Sequence, residues 1–193
     1  MSRPEEDPRA GRILTGIARA TIEAEFRPVR TPDESAEWLD EPGASFVTLT
    51  RHGQLRGCIG TISAHRPLAD DVRHNAYAAA FRDGRFLPLS SLELDGLVIE
   101  VSVLSPTEPL TFHSEQDALR QLRPGTDGVV LRWRDHRGTF LPQMWEHLPE
   151  REQFLDHLKR KAGLPEDFWH DGVRLLRYTV TSWKESERPL ARA

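Results

Sequence analysis

The one thiol of the chain, Cys58, lies in Leu55-Arg56-Gly57-Cys58-Ile59-Gly60-Thr61. A single cysteine has no partner for an internal disulfide. The chemistry open to it is nucleophilic attack as a thiolate, a form that a nearby fixed positive charge favours. Arg56 supplies such a charge. Gly57 and Gly60 remove side-chain bulk, let a ligand come close to the backbone, and offer amides that can stabilise developing negative charge. A thiolate mechanism also needs a base, and the candidates are His52, His65, His74 and Glu100. The alternative for Cys58 is a small buried hydrophobe on a strand, a common fate of free cysteine.

Other residues bear on the same question. Glu100 sits in a run, residues 97–104, whose Leu97, Ile99, Val101 and Val103 form one apolar face. If that run is central in a sheet, Glu100 is partly buried and needs a partner, for which Arg56 or Arg85 would serve. Asp83 and Arg85 flank Gly84 just after a predicted helix. They either bind an anionic group through Arg85 or cap and cross-link the loop. Thr139 and the turn at residues 125–128 complete the candidate set. His147 and His157 are ten residues apart in sequence, and neither Cys-x-x-Cys nor His-Glu-x-x-His occurs, so no metal site is predicted. Gly-x-Gly-x-x-Gly and Walker A patterns are missing too, and no cofactor is predicted.

These residues must be positioned by elements that the patterning suggests. Apolar spacing of three and four predicts a helix over residues 9–26, with a short helix at 34–39. β-branched and apolar runs at 46–51 and 55–61 flank the turn His52-Gly53-Gln54 and predict a hairpin, with Cys58 on its second arm. Pro67 suits the first turn of a helix reaching Phe81. The strand at 97–104 follows. A brief helix at 114–122 is signalled by Ser114 as its N-cap. A hairpin joins 129–133 to 139–141 across Asp135-His136-Arg137-Gly138. A helix at 149–162 stops at Gly163, and a last strand covers 173–183. The order helix, hairpin, helix, strand occurs twice, which suggests two related αββ-type halves.

The chain has 193 residues, with 26 Lys+Arg against 30 Asp+Glu and a net charge of −4. That balance argues against tight, nonspecific nucleic-acid binding. No stretch approaches the ~18 apolar residues of a membrane span. The charged first residues lack the apolar core of a secretory signal, and one cysteine with no export signal points to the cytoplasm. Residues 1–8 and 186–193 read as disordered ends around a single domain at 9–185.

Four ordered blocks carry a family resemblance. Leu55-Arg56-Gly57-Cys58-Ile59-Gly60 resembles the hallmark of the AMMECR-one domain family, whose prokaryotic members are called AmmeMemoRadiSam system protein A. Asp83-Gly84-Arg85-Phe86-Leu87-Pro88, Glu100-Val101-Ser102-Val103-Leu104, and Gly125-Thr126-Asp127-Gly128 with Gly138-Thr139-Phe140-Leu141-Pro142-Gln143 match in register. Two departures are Met144-Trp145 after the Pro-Gln and a short, charged segment at 133–137. The resemblance implies an α+β fold of two lobes with mixed or antiparallel sheets, flanking helices and a central cleft lined by the Cys58 block. It also implies association with a Memo-like protein and a radical SAM enzyme.

Three functions follow as expectations. The first is an enzyme or enzyme component with Cys58 as nucleophile, Glu100 assisting, and Arg56, Gly57, Gly60, Asp83, Arg85 and Thr139 binding substrate. The second is a module that binds a nucleotide, a nucleic-acid segment or a peptide, with a small molecule or nucleotide the favoured partner over nucleic acid and no membrane involved. The third is an interaction subunit for the named partners.

Overall fold

The computed structural model describes residues 3–186. In chain order the elements are α1 (Ala10–Glu23), β1 (Pro42–Gly43), β2 (Ser45–Arg51), β3 (Gln54–Gly60), β4 (Arg66–Pro67), α2 (Leu68–Phe81), β5 (Leu97–Leu104), β6 (Glu108–Pro109), α3 (Glu115–Gln121), β7 (Gly128–Trp133), β8 (His136–Phe140), α4 (Arg151–Lys161), β9 (Arg174–Tyr178) and β10 (Val180–Lys184). The fold is α+β, and the chain divides into two compact units, residues 1–104 with 181–193, and residues 105–180.

In the first unit the antiparallel sheet runs β10-β5-β2-β3. Alternation along β2 and β5 sends Val47, Leu49, Ile99, Val101 and Val103 to one face. There they meet the apolar stripes of α1 (Ile13, Leu14, Ile17, Ala18, Ile22) and α2 (Leu68, Val72, Ala76, Ala79) in one core. A fully buried polar knot pins α2 to the hairpin. Ser45 donates from N and Oγ to Asp71 Oδ2, at 2.8 Å each. Asn75 Nδ2 donates to the Ser45 carbonyl at 2.9 Å and to Asp71 Oδ2 at 3.0 Å. Arg66 brings its charge within 3.2 Å of the other Asp71 oxygen.

In the second unit the sheet runs β6-β9-β7-β8. Val129, Leu131, Leu175 and Phe140 pack with α3 and α4, where Phe154, Leu155 and Leu158 are fully buried. Lys159, only 2% exposed, is held by Glu115, by Asp156 Oδ1 at 3.2 Å and by the Glu166 carbonyl at 2.6 Å. Such a buried ammonium persists because every donor has an acceptor.

The two units repeat one plan. Each runs α-β-β-α-β, its third strand lies beside its first, and an extra strand is added outside the third. The two halves anticipated from the sequence are therefore αββαβ units.

Several boundaries differ from the sequence expectation. The strand expected at 173–183 is two strands in different sheets. The chain switches at Thr179, whose N–H donates to Ser105 Oγ at 3.0 Å while its carbonyl accepts from Ser105 N–H at 2.9 Å. Continuous β-branched and aromatic residues do not mark such a switch. The second hairpin turns at Arg134-Asp135, with Arg134 at φ 51°, so His136 and Arg137 belong to β8. α1 ends at Glu23, three residues early. At the N-terminus, Pro4–Glu6 forms a 3-10 turn, and Asp7 accepts from Arg9 and from Trp38 Nε1. Residues 187–193 of the expected tail lie outside the described residues.

Two glycines test the packing in opposite directions. A Cβ at Gly57 would stand 2.1 Å from the Ala79 carbonyl oxygen of α2, whereas Gly16, inside α1, has nothing within 4 Å. Gly57→Ala is expected to cost about 3 kcal/mol by forcing helix and sheet apart. Gly16→Ala is expected to stabilise by about 0.5–1 kcal/mol through helix propensity. Urea unfolding of both variants checks the pair.

Candidate functional site

The hairpin carries an irregularity that sets the site. Leu49 faces Gly57 and Thr50 faces Leu55, so Arg56 is the extra residue of a β-bulge. The Arg56 side chain is engaged by the segment that follows α2. Its Nε donates to Glu93 Oε1 at 2.7 Å, and its Nη2 donates to Glu93 Oε2 at 3.2 Å and to the Leu87 carbonyl at 2.9 Å. The guanidinium stands 5.7 Å from the Phe86 ring centroid. The charge expected to activate the thiol is thus matched by Glu93, a residue that sequence reasoning did not single out.

β3 is an edge strand, and its backbone at Cys58 points away from β2. Asp83 and Arg85 close that edge. Asp83 Oδ2 accepts from Cys58 N–H at 2.9 Å and from Arg85 Nη2 at 2.7 Å, and the same Nη2 donates to the Cys58 carbonyl at 3.2 Å. Asp83 Oδ1 also accepts from Arg85 Nε at 2.9 Å. Carboxylate and guanidinium therefore stand in for the carbonyl and N–H of a missing neighbour strand. Of the two expectations for this pair, the cross-link is what the geometry displays.

The glycines have packing partners. Gly57 admits α2, and a Cβ on Gly60 would stand 2.2 Å from the ring of Phe46, its cross-strand partner, which lies over it. Neither leaves open space at its α-carbon for a ligand.

On the sheet face away from the helices, Cys58 stands opposite Thr48, and Thr48 opposite Glu100. Cys58 Sγ and Thr48 Oγ1 are 3.4 Å apart. The row continues onto β10. The Glu185 N–H bond to the Ile99 carbonyl and the 2.7 Å contact between Ser102 and Ser182 hydroxyls place Lys184 across from Glu100. Cys58, Thr48 and Glu100 are half-buried and Lys184 is exposed. Glu100 has no hydrogen-bond or ion-pair partner among the described residues. The arginines expected to pair with it are engaged elsewhere. Two strand spacings, about 10 Å, separate its backbone from that of Cys58, so it cannot take the thiol proton directly.

The three histidines are all exposed. His52 occupies the hairpin turn at φ 51°. His65 is engaged with the Ser63 carbonyl and with Arg66 Nε. Among the described residues, Thr48 is the one hydrogen-bond partner of the Cys58 sulfur. Thr139 belongs to the second unit, where its hydroxyl lies 3.2 Å from Tyr178 OH. In that unit it is the counterpart of Cys58. It is on the second hairpin arm, directly after Gly138, whose absent Cβ would stand 3.0 Å from the Leu158 carbonyl oxygen of α4.

The two ion pairs shape the acid response. The hydrogen bond from Arg56 holds Glu93 down at about 2, against its ordinary 4.5. The Arg85 hydrogen bond, helped by the Cys58 N–H, keeps Asp83 well below the usual carboxylate range. A carboxylate depressed in the folded state adds stability above its unfolded pKa, and that stability is lost as pH falls through the folded value. The melting temperature is expected to drop between about pH 4.5 and pH 2, and Glu93→Gln to flatten that fall. Equal slopes for wild type and variant in calorimetry would remove Glu93 from this account.

No helix among the described residues is long and apolar enough to cross a membrane. Comparison with known proteins bears on the fold and the family. The solved structure of an uncharacterised protein from Pyrococcus horikoshii superposes with a TM-score of 0.75 at 32% identity, over 95% of this chain and 96% of that one. A protein of Methanothermobacter thermautotrophicus is 41% identical over 180 residues, covering 91% of this chain and 94% of the relative. A Thermotoga maritima protein is 43% identical over 165 residues, covering 82% and 88%. The family model described as AMMECR1 matches residues 15–183, and the chain belongs to the AMMECR1 family.

Proposed function

We propose that this protein is a ligand-binding component whose contact surface is the row Cys58-Thr48-Glu100-Lys184, with Cys58 acting as a contact residue and not as a nucleophile. One observation carries the reading. Both arginines flanking the thiol are matched by carboxylates, Arg56 by Glu93 and Arg85 by Asp83, while Glu100 on the same face is left without a partner. A half-buried free carboxylate is the group with most to gain from a ligand donor. A bound molecule presenting an amine or amide N–H to Glu100 and an apolar or polarisable edge to Cys58 suits the row. Delivery of such a molecule to or from the Memo-like and radical SAM proteins is part of this proposal.

The covalent alternative keeps one supporting feature, since a substrate lying along the row could bridge the ~10 Å between Glu100 and Cys58. Two measurements separate the readings. Iodoacetamide is expected to alkylate Cys58 more slowly in the folded protein than in urea, because the residue is half-buried. Faster alkylation of the folded protein would sink the binding reading. Native mass spectrometry of protein from its own host is expected to show a noncovalent small molecule, lost in Glu100→Gln and kept in Cys58→Ser. A covalent adduct on Cys58 would instead establish the nucleophile.

A further inference from the structure

The second unit holds a charge arrangement that the Cys58 face does not use. Arg137 on β8 faces Arg132 on β7, and Arg132 faces Arg174 on β9. The three form one row on the sheet face away from the helices, since the alternate residues Val129, Leu131 and Leu175 point into the core. All three are exposed. Directly opposed residues have Cβ atoms about 5 Å apart, and like charges so placed destabilise a sheet. Arginine cannot relieve the repulsion by losing its proton. Elsewhere in this unit arginines are paired: Arg123 with Asp127, Arg120 with Asp117, Arg160 with Glu166. Among the described residues neither Arg132 nor Arg174 has an ion pair or hydrogen bond. A chain with a net charge of −4 has acids enough to neutralise this row, yet those two positions keep their charge.

The chemistry of a ligand follows from the row's shape. Arg132 and Arg174, opposed on adjacent strands with Arg137 next in the row and all within about 10 Å, fit a linear anion with closely spaced charges. Guanidinium forks bind phosphate oxygens two at a time. The nearby rings of Trp133, His136 and Phe168 do not share the face. Trp133 points to the core side, with Phe168 4.6 Å away and His136 stacked at 5.5 Å. The row therefore recognises charge with no stacking platform for a base, which favours a polyphosphate over a nucleic-acid strand. We propose that Arg132, Arg174 and Arg137 form a binding site for a polyphosphate chain, either free or as the tail of a nucleoside triphosphate.

Isothermal titration at low salt tests this with four probes: sodium tripolyphosphate, ATP, orthophosphate and a twelve-residue oligothymidylate. Tripolyphosphate is expected to saturate a single site, and orthophosphate to bind at least about tenfold more weakly. ATP matching tripolyphosphate supports the nucleotide tail as the source; ATP much weaker than tripolyphosphate supports the free chain. The double variant R132Q/R174Q is expected to lose at least about tenfold in tripolyphosphate affinity, while its ligand-free melting temperature stays level or rises as the repulsion is relieved. The variant R132K/R174K keeps the charge and loses the forks. It is expected to fold and to bind with intermediate affinity, which keeps the test decisive if the glutamine pair fails to fold. No saturable binding by wild type overturns the proposal, as does wild-type affinity in both double variants. Oligothymidylate binding tenfold tighter than tripolyphosphate also overturns it, in favour of a nucleic-acid strand.

Discussion

An edge strand must do something with the peptide groups it turns to solvent, and in the first unit that demand falls on Cys58. Its N–H and carbonyl face outward from β3, and the Asp83–Arg85 pair takes both. The side chains engage each other as well, so the strand edge is closed by a charge-assisted ring. A backbone held this way presents its side chain in one orientation, and it is also protected from pairing with another chain. The position of the thiol, the depressed carboxylate of Asp83 and the placement of the loop after α2 all follow from this closure.

The same device recurs at the other side of the sheet. Where β10 stops, Glu185 accepts from Ile99 N–H at 3.1 Å, and Arg19, reaching from α1, binds Glu185 and donates to the Leu97 carbonyl at 2.7 Å. An acid and an arginine again replace a strand. The consequence for chemistry is that arginines near the motif are structural counter-ions. Arg56, released from the regular ladder by the bulge, follows the same pattern with Glu93 and the Leu87 carbonyl. The Arg56 charge is matched by a carboxylate, and its guanidinium keeps one buried nitrogen, Nη1, without a hydrogen-bond partner among the described residues.

Much of the architecture was legible because it is periodic. The apolar stripes of α1 and α2 and the alternation of β5 are written in residue types, and the repeated order of elements disclosed the duplication. What could not be read are facts about pairing. Nothing in Leu55-Arg56-Gly57 announces that Arg56 is a bulge, since the bulge depends on which residue of β2 each one faces. Glu93 and Asp71 look like ordinary acids in first turns, and their burial or engagement arises only when distant strands meet them. The alternation places Glu100 on the half-buried face of β5, but the arginines expected to pair with it have other partners. The break at Thr179 was hidden because both halves of the run favour strand, and propensity does not say which sheet a strand joins.

The duplication also separates what the fold needs from what the site needs. Gly57 and Gly138 do the same task in their units, letting α2 and α4 approach the second hairpin arm. The next residue is Cys58 in one unit and Thr139 in the other, and each places its side chain against a hydroxyl, Thr48 or Tyr178. A hydroxyl therefore satisfies the architecture at this position. The thiol is a choice that packing does not impose, and it is made in the unit whose exposed face also keeps a carboxylate without a partner. The glycines of the motif belong to the fold, while Cys58 and Glu100 are the residues whose chemistry the fold leaves free.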